Sequence, residues 1–594
     1  MESPPHRPRS LAPAELGFVP RDAVRWFSPQ VLAVSALHVG ITSVFGSFLD
    51  KRELQSPEPC TPDRRYRESG EMWFDYVADT GDGFAATATV AHALGRPTLT
   101  VPGAGELPRG RLLVFGGDEV YPMPESKGYD DRMTGPWTAA LPWTDGEHPA
   151  AYAIPGNHDW MDGLTGFLRL FAQGGWIGGW KTQQTRSYFA VALPHDWWLW
   201  GIDIQSEALI DRPQLDFFAG VAEEAAAKAA PARPRLVLAT ATPAWTELPR
   251  NPRAYANLAY LERTVLEPAG VTLALIVSGD RHYYARYQGP DGAGNGVPRH
   301  LVTAGGGGAF LHPTHELPAT TDVPASTGDE PGGPPPTTFA RAASYPGRGR
   351  SRALSLQALL LPVRNPSFVP AAGAVCVALL WAVQFGLRSL QGGGTFAAAA
   401  AHWGWSDLAG GLFRSFPSLL VLLVLLAALV GFARPPDRAD HGLRKVVAKA
   451  VMGAAHLALQ VVAVATVLML ALGWASAFDG VAFAVVASLI VFFLGGVVSA
   501  LVVGLYLLVA VNLPGGIAHA NEAFAAARIT RAKNFLRFHI GPGGDLTVYA
   551  IGIDRVVERG DWRPDPGARG NDDPWLVPPE GQPRIHLIER IDLL

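Results

Sequence analysis

Residues 112–122 read Leu-Leu-Val-Phe-Gly-Gly-Asp-Glu-Val-Tyr-Pro. An apolar run too short for a helix meets a glycine pair and then acids. This is the pattern of a buried strand that ends in a turn and delivers polar side chains to one edge of a sheet. The pattern recurs on both sides. Phe74–Ala78 runs into Asp79 and Asp82 within FDYVADTGDGF, Tyr152–Ile154 into Asn157, His158 and Asp159 within AIPGNHDW, and Leu273–Val277 into Asp280 and His282 within IVSGDRHYYARY. Trp197–Ile204 and Leu236–Ala239 complete the predicted strands. With Ala-rich helical segments between them, residues 71–315 read as an α/β domain.

The rest of the 594-residue chain is too long to belong to that domain. A composition of 48% hydrophobic and 17% charged residues excludes a disordered or coiled-coil protein. The mean hydropathy of +0.12 points to membrane segments. A net charge of −4 leaves no basic excess for a nucleic-acid partner. Two cysteines, Cys60 and Cys376, cannot build a disulfide framework. The N-terminus lacks the pattern of a secretory signal.

Long uncharged blocks follow at Phe368–Leu387, Phe416–Ala433, Val451–Ala475 and Val481–Val511, near the ~20 residues that cross a bilayer. The last could be divided at Gly495-Gly496. Arg341–Arg364, Arg434–Lys449 and Arg528–Arg537 carry the basic residues of alternate connections, which predicts four spans with both large soluble parts in the cytoplasm. The expected division is therefore an N-terminal segment (1–70), the α/β domain (71–315), a Pro/Gly/Arg linker (316–365), an all-α transmembrane region (366–514) and a small soluble α+β C-terminal domain (515–594). Val31–Leu49 reads as an amphipathic helix on the domain or at the membrane surface. In the tail, His519, Asn521 and Glu522 fit a solvated helix start better than a site.

Carboxylate, amide, phenol and imidazole groups delivered to one sheet edge suit two divalent or trivalent ions, Mn, Fe or Zn. Together these segments resemble the calcineurin-like metallophosphoesterase superfamily in its purple-acid-phosphatase style, with motifs GDxG, GDxxY, GNH(D/E), VxxH and GHxH. Here they stand as ADTG, GDEVY, GNHD, an absent histidine and GDRH, between Phe74 and Tyr287. The resemblance implies a two-sheet α/β/β/α sandwich and a dinuclear metal centre. Asp79, Asp118, Tyr121 and His282 would hold the first ion. Asp118 would bridge to a second that adds Asn157. His158, oriented by Asp159, would stand near the leaving group. Ala241 takes the place of the VxxH histidine, and Asp280 that of the first histidine of GHxH. Asp82, Glu119, His312 or His315 are the candidates to repair the second site. Gly305–Gly308 could admit a phosphate or be a plain close-packed turn. Trp160 could wall a pocket.

The function expected is a membrane-anchored metallophosphoesterase whose partners are the lipid bilayer and a phosphorylated small-molecule or lipid substrate. Alternatives are a non-catalytic metal-binding or sensory membrane protein with a degenerate second site, and a transporter with a regulatory soluble domain.

Overall fold

Strand alternation is visible at once in which cluster each side chain joins. Phe74, Tyr76, Leu112 and Val114 belong to the main apolar cluster, together with Leu238 and Ile276. Val77, Leu113 and Phe115 belong to another, with Val90 and Leu94 of the helix Phe84–Gly95. Both faces of these strands are therefore buried, which explains why they read as continuous apolar runs. The computed structural model describes residues 4–34, 37, 59–204, 210–290, 298–325, 335–391, 395–400, 402–436, 442–514 and 518–593. Most of Val31–Leu49 lies outside them.

Two eight-stranded sheets form the mixed α/β body. In the second, Trp197–Ile202, Arg235–Thr240, Thr272–Ser278 and His300–Ala304 run parallel as neighbours, and antiparallel strands complete both edges. In the first, Met72–Val77, Leu112–Phe115 and Ala150–Ala153 run parallel.

Three of that first sheet's eight strands come from the tail. Lys533–Ile540 pairs antiparallel with Met72–Val77, followed outward by Leu546–Ile553 and Ile585–Leu593. The expected separate C-terminal domain is thus corrected: the hairpin and last strand complete the first sheet. Leu536, Phe538, Val548 and Ala550 share the main core with Phe74 and Tyr76. In register, Asp75 faces Arg537, whose buried guanidinium donates to both carboxylate oxygens at 2.7 and 3.0 Å and to the Leu107 carbonyl. The linker is corrected too, because Thr337–Tyr345 adds to the second sheet beside Tyr284–Gln288.

Among the described residues, three helices, Phe368–Arg388, Gly442–Ala475 and Gly480–Val511, are long and apolar enough to cross a membrane. Phe416–Phe432 makes a fourth only if counted with Trp405–Arg414, from which it bends by 75°. Gly495-Gly496 does not divide the last helix, which continues through a single π-turn at Val491–Gly495. These glycines instead admit the first helix: a Cβ on Gly496 would stand 2.4 Å from the Val369 carbonyl oxygen. The helices also dock on the sheets' side of the molecule. The Asn365 amide donates to the Ala526 carbonyl at 2.8 Å, and Ala500, Val503 and Leu507 join the main core.

Candidate active site

Three aspartates, each just beyond a strand, adopt left-handed backbone: Asp79 at φ 59°, Asp118 at 55° and Asp280 at 61°. Asp tolerates this conformation better than bulkier residues, and such strain persists where surrounding structure enforces it. Here the loops enforce one another. The amides of Asp79, Thr80 and Gly81 donate to the carbonyls of Gly117, Asp118 and Glu119. Gly307 N donates to Ala78 O and Ala309 N to Asp79 O. The tetraglycine is the close-packed turn: a Cβ on Gly308 would lie 1.7 Å from Thr80 O, and one on Gly305 2.4 Å from Asp79 Oδ2.

These loops converge on the Tyr121 hydroxyl. Its oxygen lies 3.0 Å from Asp79 Oδ1, 3.1 Å from Asp118 Oδ2 and 3.2 Å from His282 Nε2. His282 Nδ1 sits 2.7 Å from the Phe310 carbonyl, which can only accept. Nδ1 therefore carries the hydrogen when the ring is neutral, and Nε2 presents a lone pair. One hydroxyl hydrogen then faces three acceptors. Asp79 Oδ2, buried between Gly279 and Gly305, has no partner among the described residues.

The electrostatics are strained accordingly. Burial, then the neighbouring carboxylates, push Asp79 and Asp118 well above the usual carboxylate range. Burial drives the His282 imidazole well below its ordinary value. The donor chemistry, the acceptor excess and the orphaned oxygen fit one cation among Asp79, Asp118, Tyr121 and His282. Among the described residues, however, no group of three His, Cys, Asp or Glu side chains is already arranged to hold a metal ion.

A second ion fits less well. Ala241 does sit against the Asp118 loop, its methyl carbon 3.2 Å from where a Cβ on Gly117 would be, and it offers no donor. Asp280 meets Asp79 through its backbone N–H, at 3.2 Å, while its carboxylate lies 3.6 Å from Arg281. Asn157 precedes His158 in the same turn. Two of the proposed replacements are engaged elsewhere: Asp82 Oδ1 accepts from Val24 N, and His315 bonds Ser351 and the Val511 carbonyl. Glu119 is engaged in part, Oε1 accepting from Gly117 N while Oε2 is buried without a partner among the described residues. His312 comes closest, stacked on His282 at 4.0 Å, with Nε2 3.2 Å from Asn521 Oδ1. Asn521, expected merely to start a helix, thus reaches the site's outer layer.

His158 reaches the site, but not by way of Asp159. Its Nδ1 lies 3.0 Å from the Pro122 carbonyl, leaving Nε2 bare in the neutral ring, and its backbone N–H donates to Asp118 Oδ1 at 2.8 Å. Asp159 turns back instead, accepting from the amides of Asp118 and Gly156 at 2.9 Å and from the Tyr129 hydroxyl. It begins a short 3₁₀ turn, which directs it into the loop rather than toward the imidazole. Trp160 donates to Asp203 at 3.2 Å.

Two neighbours of the site carried no signal in the sequence. Trp26, from the N-terminal segment, stands edge-on to Tyr121, His158 and Phe310 with ring centroids 5.7–6.0 Å away. Lys533, from the tail, is buried with Nζ on the Ala309 carbonyl, and its burial lowers it to about 8 although Asp82 and Asp79 favour its charge. Beside Tyr121 and Pro122 opens a cavity of about 360 Å³, lined also by Val31, Val34, Met123 and Lys127.

No family model matches the sequence, and no curated protein does. Among solved structures, the chain is similar to purple acid phosphatase PPD1 from yellow lupin (Lupinus luteus) seeds. The identity is 13% and the TM-score 0.26, over 48% of this chain and 49% of that one. The chain therefore spans about half that protein's length. A TM-score so low carries no argument about function.

Proposed function

We propose that this chain is a membrane-embedded phosphoesterase whose catalytic centre lies around the Tyr121 hydroxyl. The observation that carries the reading is the convergence there of Asp79, Asp118 and His282, from three separate strand-end loops, with more acceptors than protons. Asp79, Asp118, Tyr121 and His282 would hold a divalent or trivalent cation, with Asn157 and Asp280 nearest for a second. A cation there would supply positive charge against a phosphate and polarise a water for attack.

The chain's own residues do the rest. Gly279 and Gly305 keep space clear around Asp79 Oδ2. The Phe310 carbonyl fixes the tautomer and orientation of His282, as such outer contacts do for metal-binding imidazoles. Burial holds His158 neutral at neutral pH, and its bare Nε2 can take a proton from an attacking water or, once protonated, return it to a leaving oxygen. Lys533 brings a cation toward the acidic loops from the opposite strand. Trp26 and the apolar part of the adjoining cavity's lining, Val31, Val34 and Met123, suit the apolar part of an amphiphilic ester, while Arg21, Lys127 and Arg132 in the same lining suit its anionic end. Four crossings, with the bent pair Trp405–Phe432 counted as one span, would leave the catalytic and tail regions together in the cytoplasm, as their shared sheet requires, and keep the enzyme beside such a substrate.

The test is hydrolysis of p-nitrophenyl phosphate and bis-p-nitrophenyl phosphate by the purified full chain, with and without Mn. Metal-dependent turnover that Asp118→Ala abolishes is expected. Full activity in Asp118→Ala would overturn the site. Confirmed metal binding with no turnover on either ester would favour a sensory module.

A further inference from the structure

A separate cavity of about 370 Å³ lies between the N-terminal segment, the start of the tail and the residues just before the first apolar helix. Arg21, Arg364, Arg528, Arg531 and Arg559 line it, against Asp22 and Glu558. Two of the arginines are already paired, Arg21 with Asp131 at 2.7 Å and Arg559 with Asp22 at 3.2 Å. The other three are not. Arg364 donates to the Ala527 carbonyl, and Arg528 to the carbonyls of Arg364 and Ala23. Neither they nor Arg531 has a carboxylate ion-pair partner among the described residues, and Arg528 Nε is buried with no hydrogen-bond partner there.

Five arginines around one cavity outnumber the acids that face them, Asp22 and Glu558 in the lining and Asp82 beside Arg528, and the excess of like charge is unfavourable by itself. Burial, then the charges of Arg531 and Arg528, lower the Arg364 guanidinium. A multivalent oxyanion would relieve the repulsion and occupy the free N–H donors, because guanidinium forks match phosphate oxygens. The position is informative as well: Arg364 stands a single turn before Phe368, where the first membrane-length helix begins. If that helix crosses a bilayer, the cavity opens at headgroup depth, where basic residues meet anionic lipid.

We propose that this arginine-lined cavity binds a phosphate group, either of an anionic lipid headgroup or of a soluble phosphate ester. The site is distinct from the catalytic centre, although Arg21 lines both this cavity and the one beside Tyr121, and it needs no turnover there. Only its assignment to a lipid rests on the membrane reading.

The experiment titrates the full-length protein in neutral detergent with short-chain phosphatidic acid, inorganic phosphate and, as control, phosphatidylcholine. Binding is read from the unfolding midpoint and by native mass spectrometry. Wild type is compared with Arg531→Gln, Arg531→Glu, the double variant Arg364→Gln/Arg531→Gln and, to remove any contribution from the catalytic centre, Asp118→Ala. Arg531 is exposed and makes no structural hydrogen bond among the described residues, so its variants should fold even if the double variant does not. The expected result is a roughly tenfold weaker affinity in Arg531→Gln, the scale of one charge-assisted contact. Arg531→Glu should weaken it further, and Asp118→Ala should bind like wild type. An arginine-dependent response to phosphatidic acid but not to inorganic phosphate identifies the lipid as the source. The converse identifies a soluble ester. Unaltered binding of both probes in all the arginine variants, or binding lost in Asp118→Ala alone, would overturn the site.

Discussion

Asp75 and Asp79 are four residues apart at one strand, and both are buried. Asp75 faces a guanidinium that satisfies both its oxygens. Asp79 faces two other aspartates and a phenol, and one of its oxygens has no partner among the described residues. A buried charge costs several kcal/mol unless paired. The first acid is therefore part of how the sheet is held together. The second is held in place by the neighbouring loops that bond its backbone, which suits the role proposed for it above.

The contrast should survive substitution. Asp79→Asn is expected to lower turnover on p-nitrophenyl phosphate by about 10³-fold, the scale of removing a preorganised electrostatic group; a loss below tenfold would place the chemistry elsewhere. Asp75→Asn should leave the turnover of folded enzyme within about twofold but destabilise it by about 3–5 kcal/mol, because Arg537 is left buried and unpaired. Thermal or denaturant unfolding of the detergent-solubilised chain measures this.

A smaller effect has the opposite sign. Without added cation, Asp79→Asn should be more stable than wild type by roughly 1 kcal/mol at neutral pH, since it removes a repelled charge. Added Mn should raise the wild-type unfolding midpoint and leave the variant's unmoved. The smallest effect concerns a third kind of buried polar group, the imidazole of His92, which meets Trp562 of the tail edge-on at 5.6 Å. Burial, then the charge of Arg96, lowers it to about 4. The unfolded chain takes up this proton near pH 6.5 and the folded chain does not, so stability is complete above that pH and is lost as pH falls toward 4. The raised aspartates act in the opposite sense, so comparison with His92→Phe isolates the imidazole. The variant should lose up to about 1.4 kcal/mol less per pH unit across that window.

How far the site could be read in advance follows from how local its causes are. Short apolar runs ending in Gly-Asp turns place Asp79, Asp118 and Asp280 at strand ends by themselves, and GDEVY puts Tyr121 on the same loop as Asp118. The motifs could not say which acceptor each imidazole would find: Asp159, adjacent to His158, was expected to orient it, but backbone direction gave that role to the Pro122 carbonyl. Trp26 and Lys533 were beyond reach for a stronger reason. Neither sits in a recognisable pattern, and each arrives from a segment far away in sequence.

The tail is the clearest instance. NFLRFHI and LTVYAIGI announce a hairpin, and composition alone marks the long apolar helices, because both depend on periodicity and length within one segment. Nothing within 533–593 specifies that its strands pair with Met72–Val77, since an antiparallel edge accepts many strands of suitable alternation. The choice is made by burial of Leu536 and Phe538 against a core assembled from the other end of the chain, and by Arg537 meeting Asp75 in register. Local chemistry thus wrote the acid-bearing loops and the long apolar helices, while long-range packing decided which strands extend the first sheet and brought Lys533 toward the acids.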